Sequence, residues 1–266
     1  MPISLWQRRI QRAHELTEQR PFAAEMLRFY IAIANFQEQL HRRLNTALPP
    51  KSRSSSIASD LSPQELSELC PSFPDFLSVA QRHGPAPLTE ISNQLRARGE
   101  SFWSELLQEA WRVSAPSDAE GFLVQAFLQP YAELLRSHSS PEAAQGKYAS
   151  CPFCHRKPGF GVMRQMGEGA ARSLICSFCL AEWNFRRLVC PGCGEENDRT
   201  LPVYTASDFD YIRVECCDTC KTYLKAIDLT KNGHAEPVVD ELASAPLDLW
   251  AHEHGYAKLR PNLLGM

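Results

Sequence analysis

The strongest constraint on this chain is a run of four Cys-x-x-Cys pairs: Cys151/Cys154, Cys176/Cys179, Cys190/Cys193 and Cys217/Cys220. A two-residue gap lets both sulfurs of a pair turn towards one point, so each pair supplies half of a tetrahedral metal site. Four pairs therefore imply two sites, each closed by four thiolates. Contacts between consecutive elements favour grouping neighbours. That puts Cys151, Cys154, Cys176 and Cys179 in one site and Cys190, Cys193, Cys217 and Cys220 in the other. An interleaved grouping also fits, because spacing fixes pairs better than it fixes partners. Disulfides are disfavoured. Arg8, Arg9, Arg12, His14, Glu15 and Glu18 interrupt the apolar run that a signal peptide needs. The expectation is a cytoplasmic protein with reduced thiols. A thioredoxin-like dithiol would use one pair at a helix start and leave three pairs unexplained.

The first 145 residues read as an all-α domain. Residues 4–17 have helical composition. Pro21 opens a longer helix in which Phe22, Met26, Phe29, Tyr30, Ile33, Phe36, Leu40 and Leu44 recur at three- and four-residue steps along one face. Pro49-Pro50 ends it, since proline lacks the N–H donor and clashes with the preceding turn. The serine-rich stretch 51–59 reads as a linker. Ser62-Pro63-Gln64-Glu65 then forms a capping box, with Ser62 as N-cap and Glu65 reaching back. Further helices are expected at 73–82, 89–98 and 101–112, and from Ser117 or Asp118 through Leu135, with Pro130 predicting a kink or break. Cys70, alone between Leu69 and Pro71, fits a buried small hydrophobe.

Residues 139–148 suit a domain boundary. Cys151-Pro152-Phe153-Cys154 and Cys190-Pro191-Gly192-Cys193-Gly194 then have the form of metal knuckles. The residue after the second cysteine of a knuckle often needs a left-handed backbone. Gly194 adopts it without steric cost. His155 holds the equivalent place, and histidine is among the non-glycine residues enriched there; a ligand role for it is open but unneeded. Strand-like stretches follow: a hairpin of 161–166 and 172–175 around Gly167-Glu168-Gly169, then 183–189, 201–205, 211–214 and 223–229. Modules of about 40 residues lie near the limit for folding without a staple, and a metal ion supplies one. Cys216, beside Cys217, is a spare ligand or a reactive thiol. Pro237 starts a final helix carrying Leu242, Leu247, Leu249 and Trp250, with Asp240-Glu241 in its first turn, where solvated acids complement the helix dipole. Gly255 could end it.

The expected fold is α+β: an all-α N-terminal domain (1–145), two small rubredoxin-like or zinc-ribbon metal modules (146–187 and 188–235), and a C-terminal helix and tail (236–266). Zinc and a single iron both suit four sulfurs. The 266 residues carry a formal charge of −3 and no run of 18 apolar residues, so no membrane span is expected. Between Lys147 and Ala235, 12 Lys/Arg face 10 Asp/Glu; eight thiolates and two divalent ions bring that to about −2. This is a poor footprint for a phosphate backbone, and Arg186-Arg187 reads as a solvated strand face. Phosphate-loop, nucleophile-elbow and H-E-x-x-H motifs are absent, and closed four-thiolate sites leave no open position for a substrate.

Several stretches together resemble one family. They are Cys176-Ser177-Phe178-Cys179-Leu180-Ala181-Glu182-Trp183, Arg187, Cys190-Pro191-Gly192-Cys193, Cys217-Asp218-Thr219-Cys220 and Thr222-Tyr223-Leu224-Lys225. The tail adds Asp240-Glu241-Leu242-Ala243, Leu247-Asp248 and Glu253-His254-Gly255-Tyr256. They resemble the formate dehydrogenase accessory protein family, of the FdhE type. The resemblance is close across 150–260 and looser before, mainly at Leu128-Gln129-Pro130-Tyr131. It implies a non-catalytic cytoplasmic maturation factor with a helical domain and two rubredoxin-like modules that bind iron through the eight paired cysteines. Its partner would be the catalytic subunit of respiratory formate dehydrogenases, which carry molybdenum or tungsten and leave by the twin-arginine route. The role implied is assembly or proofreading before export. An electron-transfer protein acting on the same client, and a zinc-ribbon nucleic-acid binder, are the alternative readings. Two departures stand out: His155 replaces a usual glycine, and Cys216 is an extra thiol.

Overall fold

The computed structural model describes residues 4–48, 61–112, 118–138 and 149–262. The stretches read as a serine-rich linker and as a domain boundary lie outside the described residues. The chain divides near residue 140 into two compact units.

The first unit is helical: α1 (Leu5–Gln19), α2 (Ala24–Ala47), α3 (Pro63–Leu69), α4 (Phe73–His83), α5 (Ala86–Arg98), α6 (Glu100–Arg112) and α7 (Ala119–Ser137). Capping boxes open α1 at Ser4 and α3 at Ser62, each satisfying two otherwise unpaired N–H groups. A 3-10 turn at Pro21–Ala23 leads into α2, so Phe22 precedes the helix and is 59% exposed, against the expected stripe. Phe29, Tyr30, Ile33, Leu40 and Leu44 are buried as the periodicity predicts, and so is Cys70. Phe127 of α7 packs between Phe73 and Phe76 of α4, with ring centroids 4.9 and 5.6 Å away.

Pro130 does not break α7, which runs unbroken to Ser137. Proline at this position leaves the carbonyl four residues earlier, Ala126, without its helical donor. Gln37 of α2 replaces that donor: its Nε2 lies 2.6 Å from the Ala126 oxygen, and its side chain is buried. Arg9 of α1 and Glu133 of α7 form a buried ion pair at 3.0 Å, and the Tyr131 hydroxyl donates to Glu65 Oε1 at 2.5 Å.

The second unit is built on one seven-stranded sheet: β1 (Pro158–Met166), β2 (Gly169–Cys176), β3 (Glu182–Asn184), β4 (Val203–Thr205), β5 (Ile212–Cys217), β6 (Thr222–Asp228) and β7 (Ala257–Lys258). The strand order is β3-β2-β1-β6-β5-β4, with β7 against the far end of β6. β1 and β2 form the expected hairpin, closed by Gly167 at φ +59° in the first loop position of a two-residue turn. β5 and β6 form a second antiparallel pair from Ile212↔Ile227 to Cys217↔Thr222. The two halves join where β1 runs parallel to β6, from Gly161↔Ala226 to Met163↔Asp228. Gly161 lets the strands approach closely there, since an added Cβ would sit 3.2 Å from the Ala226 methyl.

Two expectations are corrected in this unit. The strand expected at 183–189 stops at Asn184, because the Arg186 carbonyl turns to accept from the Arg172 guanidinium at 2.9 Å. The single C-terminal helix is two, α8 (Pro237–Leu242) and α9 (Ala245–Glu253), with Pro246 in the first turn of α9. Asp240 and Glu241 are not solvated; each is 1% exposed. Tyr211 donates to Asp240 at 2.7 Å. Glu241 and Asp248 face Lys225 of β6 and Lys258 of β7 in a four-charge cluster with contacts of 2.5 to 3.1 Å. The sequence gives no hint of this, since a lysine inside a strand and an acid in a helix's first turn both read as surface residues.

Candidate metal centres

Each knuckle is built by a backbone turn that aims two sulfurs at one point. In the first, the Cys151 N–H donates to the Arg156 carbonyl and the His155 N–H to the Cys151 carbonyl, at 2.8 and 2.9 Å. The third repeats it: Cys190 N–H to Glu195 and Gly194 N–H to Cys190, both at 2.9 Å. N–H groups of Phe153, Phe178 and Gly192 point at the sulfurs of Cys151, Cys176 and Cys190, at 3.4, 3.3 and 3.3 Å. The residue after the second cysteine is left-handed in all four knuckles: His155 (φ +59°), Leu180 (+51°), Gly194 (+81°) and Lys221 (+55°). Of the four, only Gly194 and His155 are residue types that commonly adopt this backbone. The positional rule applied equally to Leu180 and Lys221, whose identities disguise it.

The eight sulfurs converge into two groups of four, Cys151/Cys154/Cys176/Cys179 and Cys190/Cys193/Cys217/Cys220, with every sulfur of a group within 4.8 Å of the others. This is the neighbour grouping, and the interleaved one is not seen. Across the first group, Cys151 to Cys179 is 3.6 Å and Cys154 to Cys176 is 3.3 Å. Across the second, Cys190 to Cys220 is 3.7 Å and Cys193 to Cys217 is 3.6 Å. A tetrahedron with metal–sulfur bonds of about 2.3 Å has edges of about 3.8 Å. The groups therefore match the shape of a four-thiolate site, and all eight cysteines are free thiols. His155 and Cys216 belong to neither group.

The protonation chemistry fits a cation at each centre. Burial pushes the thiols of Cys176 and Cys179 well up, while hydrogen bonds from Cys151, Cys176 and Cys179 hold Cys154 well down. Burial takes Cys190 up to about 12. At Cys220 burial also pushes upward, but the Thr222 hydroxyl, 3.0 Å from its sulfur, and the Thr222 N–H win and bring it to about 7. Crowded buried thiols thus resist becoming four thiolates together. A divalent ion among them reverses that balance, since a coordinating thiol is deprotonated outright.

Surrounding residues brace each group. Near the first, the Arg156 guanidinium lies 3.6 Å over the Phe178 ring; burial lowers its pKa, and the sulfurs of Cys154 and Cys176 oppose that. At the second, Asp218 accepts from Tyr256 at 2.8 Å and pairs with Lys221 at 2.8 Å, tying the last knuckle to the C-terminal segment.

Known proteins resemble the chain across these residues. The family model described as "FdhE, central domain" matches residues 150–187, which hold the first group. The one described as "FdhE, C-terminal domain" matches 189–264, which hold the second group and the four-charge cluster. A protein of Aquifex aeolicus named "Protein FdhE homolog" is 31% identical over 194 residues, covering 73% of this chain and 69% of its own. The chain belongs to the FdhE family. The FdhE homolog of Haemophilus influenzae extends the match to 97% of the chain and 87% of its own length at 27% identity. A solved structure, "The crystal structure of the FdhE protein from Pseudomonas aeruginosa", superposes with a TM-score of 0.69 at 25% identity, covering 99% of this chain and 96% of that one. The FdhE likeness therefore extends through the helical unit, where sequence motifs were sparse. No helix among the described residues is long and apolar enough to cross a membrane.

Proposed function

We propose that this FdhE-type chain is a non-catalytic cytoplasmic accessory protein that binds the catalytic subunit of a formate dehydrogenase exported by the twin-arginine route. It supports that subunit's assembly or activity before export. Cys151, Cys154, Cys176 and Cys179 hold one metal ion, and Cys190, Cys193, Cys217 and Cys220 hold a second. Residues 1–145 would serve as the helical domain, 146–187 and 188–235 as the metal modules, and 236–266 as the C-terminal helical tail. The observation that carries the metal reading is the convergence of eight sulfurs from four separate knuckles into two groups of four. Family membership supports the client.

Four thiolates would give an iron ion one-electron chemistry and a zinc ion none, and the family resemblance favours iron. In either case the chain's own residues supply a cross-link: each ion would join two knuckles whose facing cysteines lie 22 or 24 residues apart in the chain. Closed sites without an open coordination position fit a binding protein better than an enzyme.

The test is capture of the catalytic subunit by tagged, full-length protein purified without air, with metal analysis of the same sample. Two ions per chain and co-purification of the subunit are expected, and Cys190→Ser/Cys193→Ser should lose one ion and the capture. Unchanged capture and unchanged formate dehydrogenase activity in cells carrying that variant would overturn the proposal.

A further inference from the structure

We propose that the two sulfur groups have different jobs: the first is a permanent cross-link, and the second is the site at which an ion is loaded and lost. This rests on the metal reading above and goes beyond it.

The difference is written at one position of the knuckle. The residue just before the second cysteine is Phe153 and Phe178 in the first group, but Gly192 and Thr219 in the second. Phe153 and Phe178 are 4% and 2% exposed, and buried Arg156 covers the Phe178 ring. In this group Cys151, Cys176 and Cys179 are completely buried, with Cys154 half-buried. In the second group Gly192 has no side chain to offer. Thr219 is exposed and turned away to Glu195, its hydroxyl 2.7 Å from Oε2. A side chain at Gly192 would also be crowded, since a Cβ there would stand 3.1 Å from the Thr222 hydroxyl and 3.2 Å from Leu259. Cys193 is consequently exposed and Cys220 half-buried.

Exposure of a ligand sulfur decides exchange. With an ion bound, an incoming donor could reach exposed Cys193 directly and would take the coordination place of that sulfur. Cys193 would leave as a thiolate and take a proton from water, releasing hydroxide, so charge and atoms balance. At the first group no sulfur is exposed, since three cysteines are fully buried and Cys154 is half-buried, so the same approach is more restricted. The shell around a metal site controls access, and altering it typically changes metal affinity by about 10- to 100-fold.

The experiment uses full-length protein loaded with zinc as the probe. Total zinc is measured first, and release to an excess of a coloured chelator is then followed in time. Two equivalents are expected, released in two phases at least about 10-fold apart in rate. Cys190→Ser/Cys193→Ser should remove the fast equivalent and keep the slow one. Phe178→Thr should quicken the slow phase and leave the fast one unchanged. On the unaltered protein, alkylation during release should mark Cys193 and its three partners before any cysteine of the first group. Release in a single phase, a fast phase surviving in the double serine variant, or simultaneous alkylation of both groups overturns this inference. A preparation that never takes up two ions overturns instead the metal reading beneath it.

Discussion

Replacing Lys225 by methionine should destabilise the C-terminal unit more than removal of any surface charge. Lys225 is fully buried on β6. Its Nζ lies 2.5 Å from Asp248 Oδ2 and 3.1 Å from Glu241 Oε1, and it also donates to the Glu241 carbonyl at 2.6 Å and the Ser244 hydroxyl at 3.0 Å. Lys258 reaches the same two carboxylates at 2.5 and 3.0 Å. Two cations thus meet two anions, and the cluster is neutral. Without Lys225, one negative charge stays in the interior uncompensated, and breaking a buried pair in this way costs about 3–5 kcal/mol. Asp248→Asn leaves the opposite imbalance and weakens the 2.8 Å bond accepted from the Tyr223 hydroxyl, so a similar cost is expected. The double variant restores neutrality and keeps the Lys258–Glu241 pair. Its cost should fall short of the sum of the two singles by about 2 kcal/mol or more, as expected of groups in one network. Amide hydrogen exchange along β6, in full-length protein loaded with its ions, reads the opening free energy of this unit. Single variants within about 1 kcal/mol of the parent, or a strictly additive double variant, would refute the reasoning.

Three further outcomes are expected. Gln37→Leu should cost about 1–3 kcal/mol in the helical unit, read by urea unfolding, because it orphans the Ala126 carbonyl that Pro130 leaves unpaired. His155→Gly should keep two ions per chain by metal analysis and raise stability by up to about 1 kcal/mol, since His155 sits at φ +59° outside both sulfur groups. Burial would raise the Glu241 carboxyl, but Lys225 and Lys258 overcome it and hold it at about 2, below its ordinary 4.5. Its share of stability, about 3 kcal/mol, is therefore complete above pH 4.5 and lost as pH falls towards 2. The pH dependence of the urea midpoint between pH 5 and 3 should be correspondingly flatter in Glu241→Gln.

What could be read from the sequence was local. Ser62 with Glu65, the paired cysteines and the glycine-led hairpin each carry their signal within a few residues, and each appears as expected. What could not be read depends on residues far apart in the chain. Pro130 read as a break because its remedy, Gln37, lies 93 positions earlier in another helix. Asp240 and Glu241 read as solvated because a helix's first turn attracts acids, and nothing nearby announces that Lys225 and Lys258 wait for them. The parallel pairing of β1 with β6 is of the same kind, since no turn chemistry encodes a ladder between strands more than 50 residues apart.

That pairing changes how the two sulfur groups should be viewed. Treated as separate knuckled modules, each would depend on its own ion alone. Arg172 argues against such independence. It sits on β2, the strand that ends in Cys176, yet its guanidinium meets Glu215 on β5, the strand that ends in Cys217, at 2.6 Å. On a flat sheet β2 and β5 would stand three strand spacings apart, roughly 14 Å, so curvature and two long side chains close the span. The same guanidinium accepts the task of satisfying the Arg186 carbonyl in the segment that leads to Cys190. One buried cation therefore fixes the strand that delivers a ligand of the first group, the strand that delivers a ligand of the second, and the link between them. Together with the β1–β6 ladder, it makes the sheet a shared frame. If both groups hold ions as proposed, the enclosed group would anchor the whole unit while the group bearing exposed Cys193 exchanged its own, because the frame that presents those sulfurs is held from the other side.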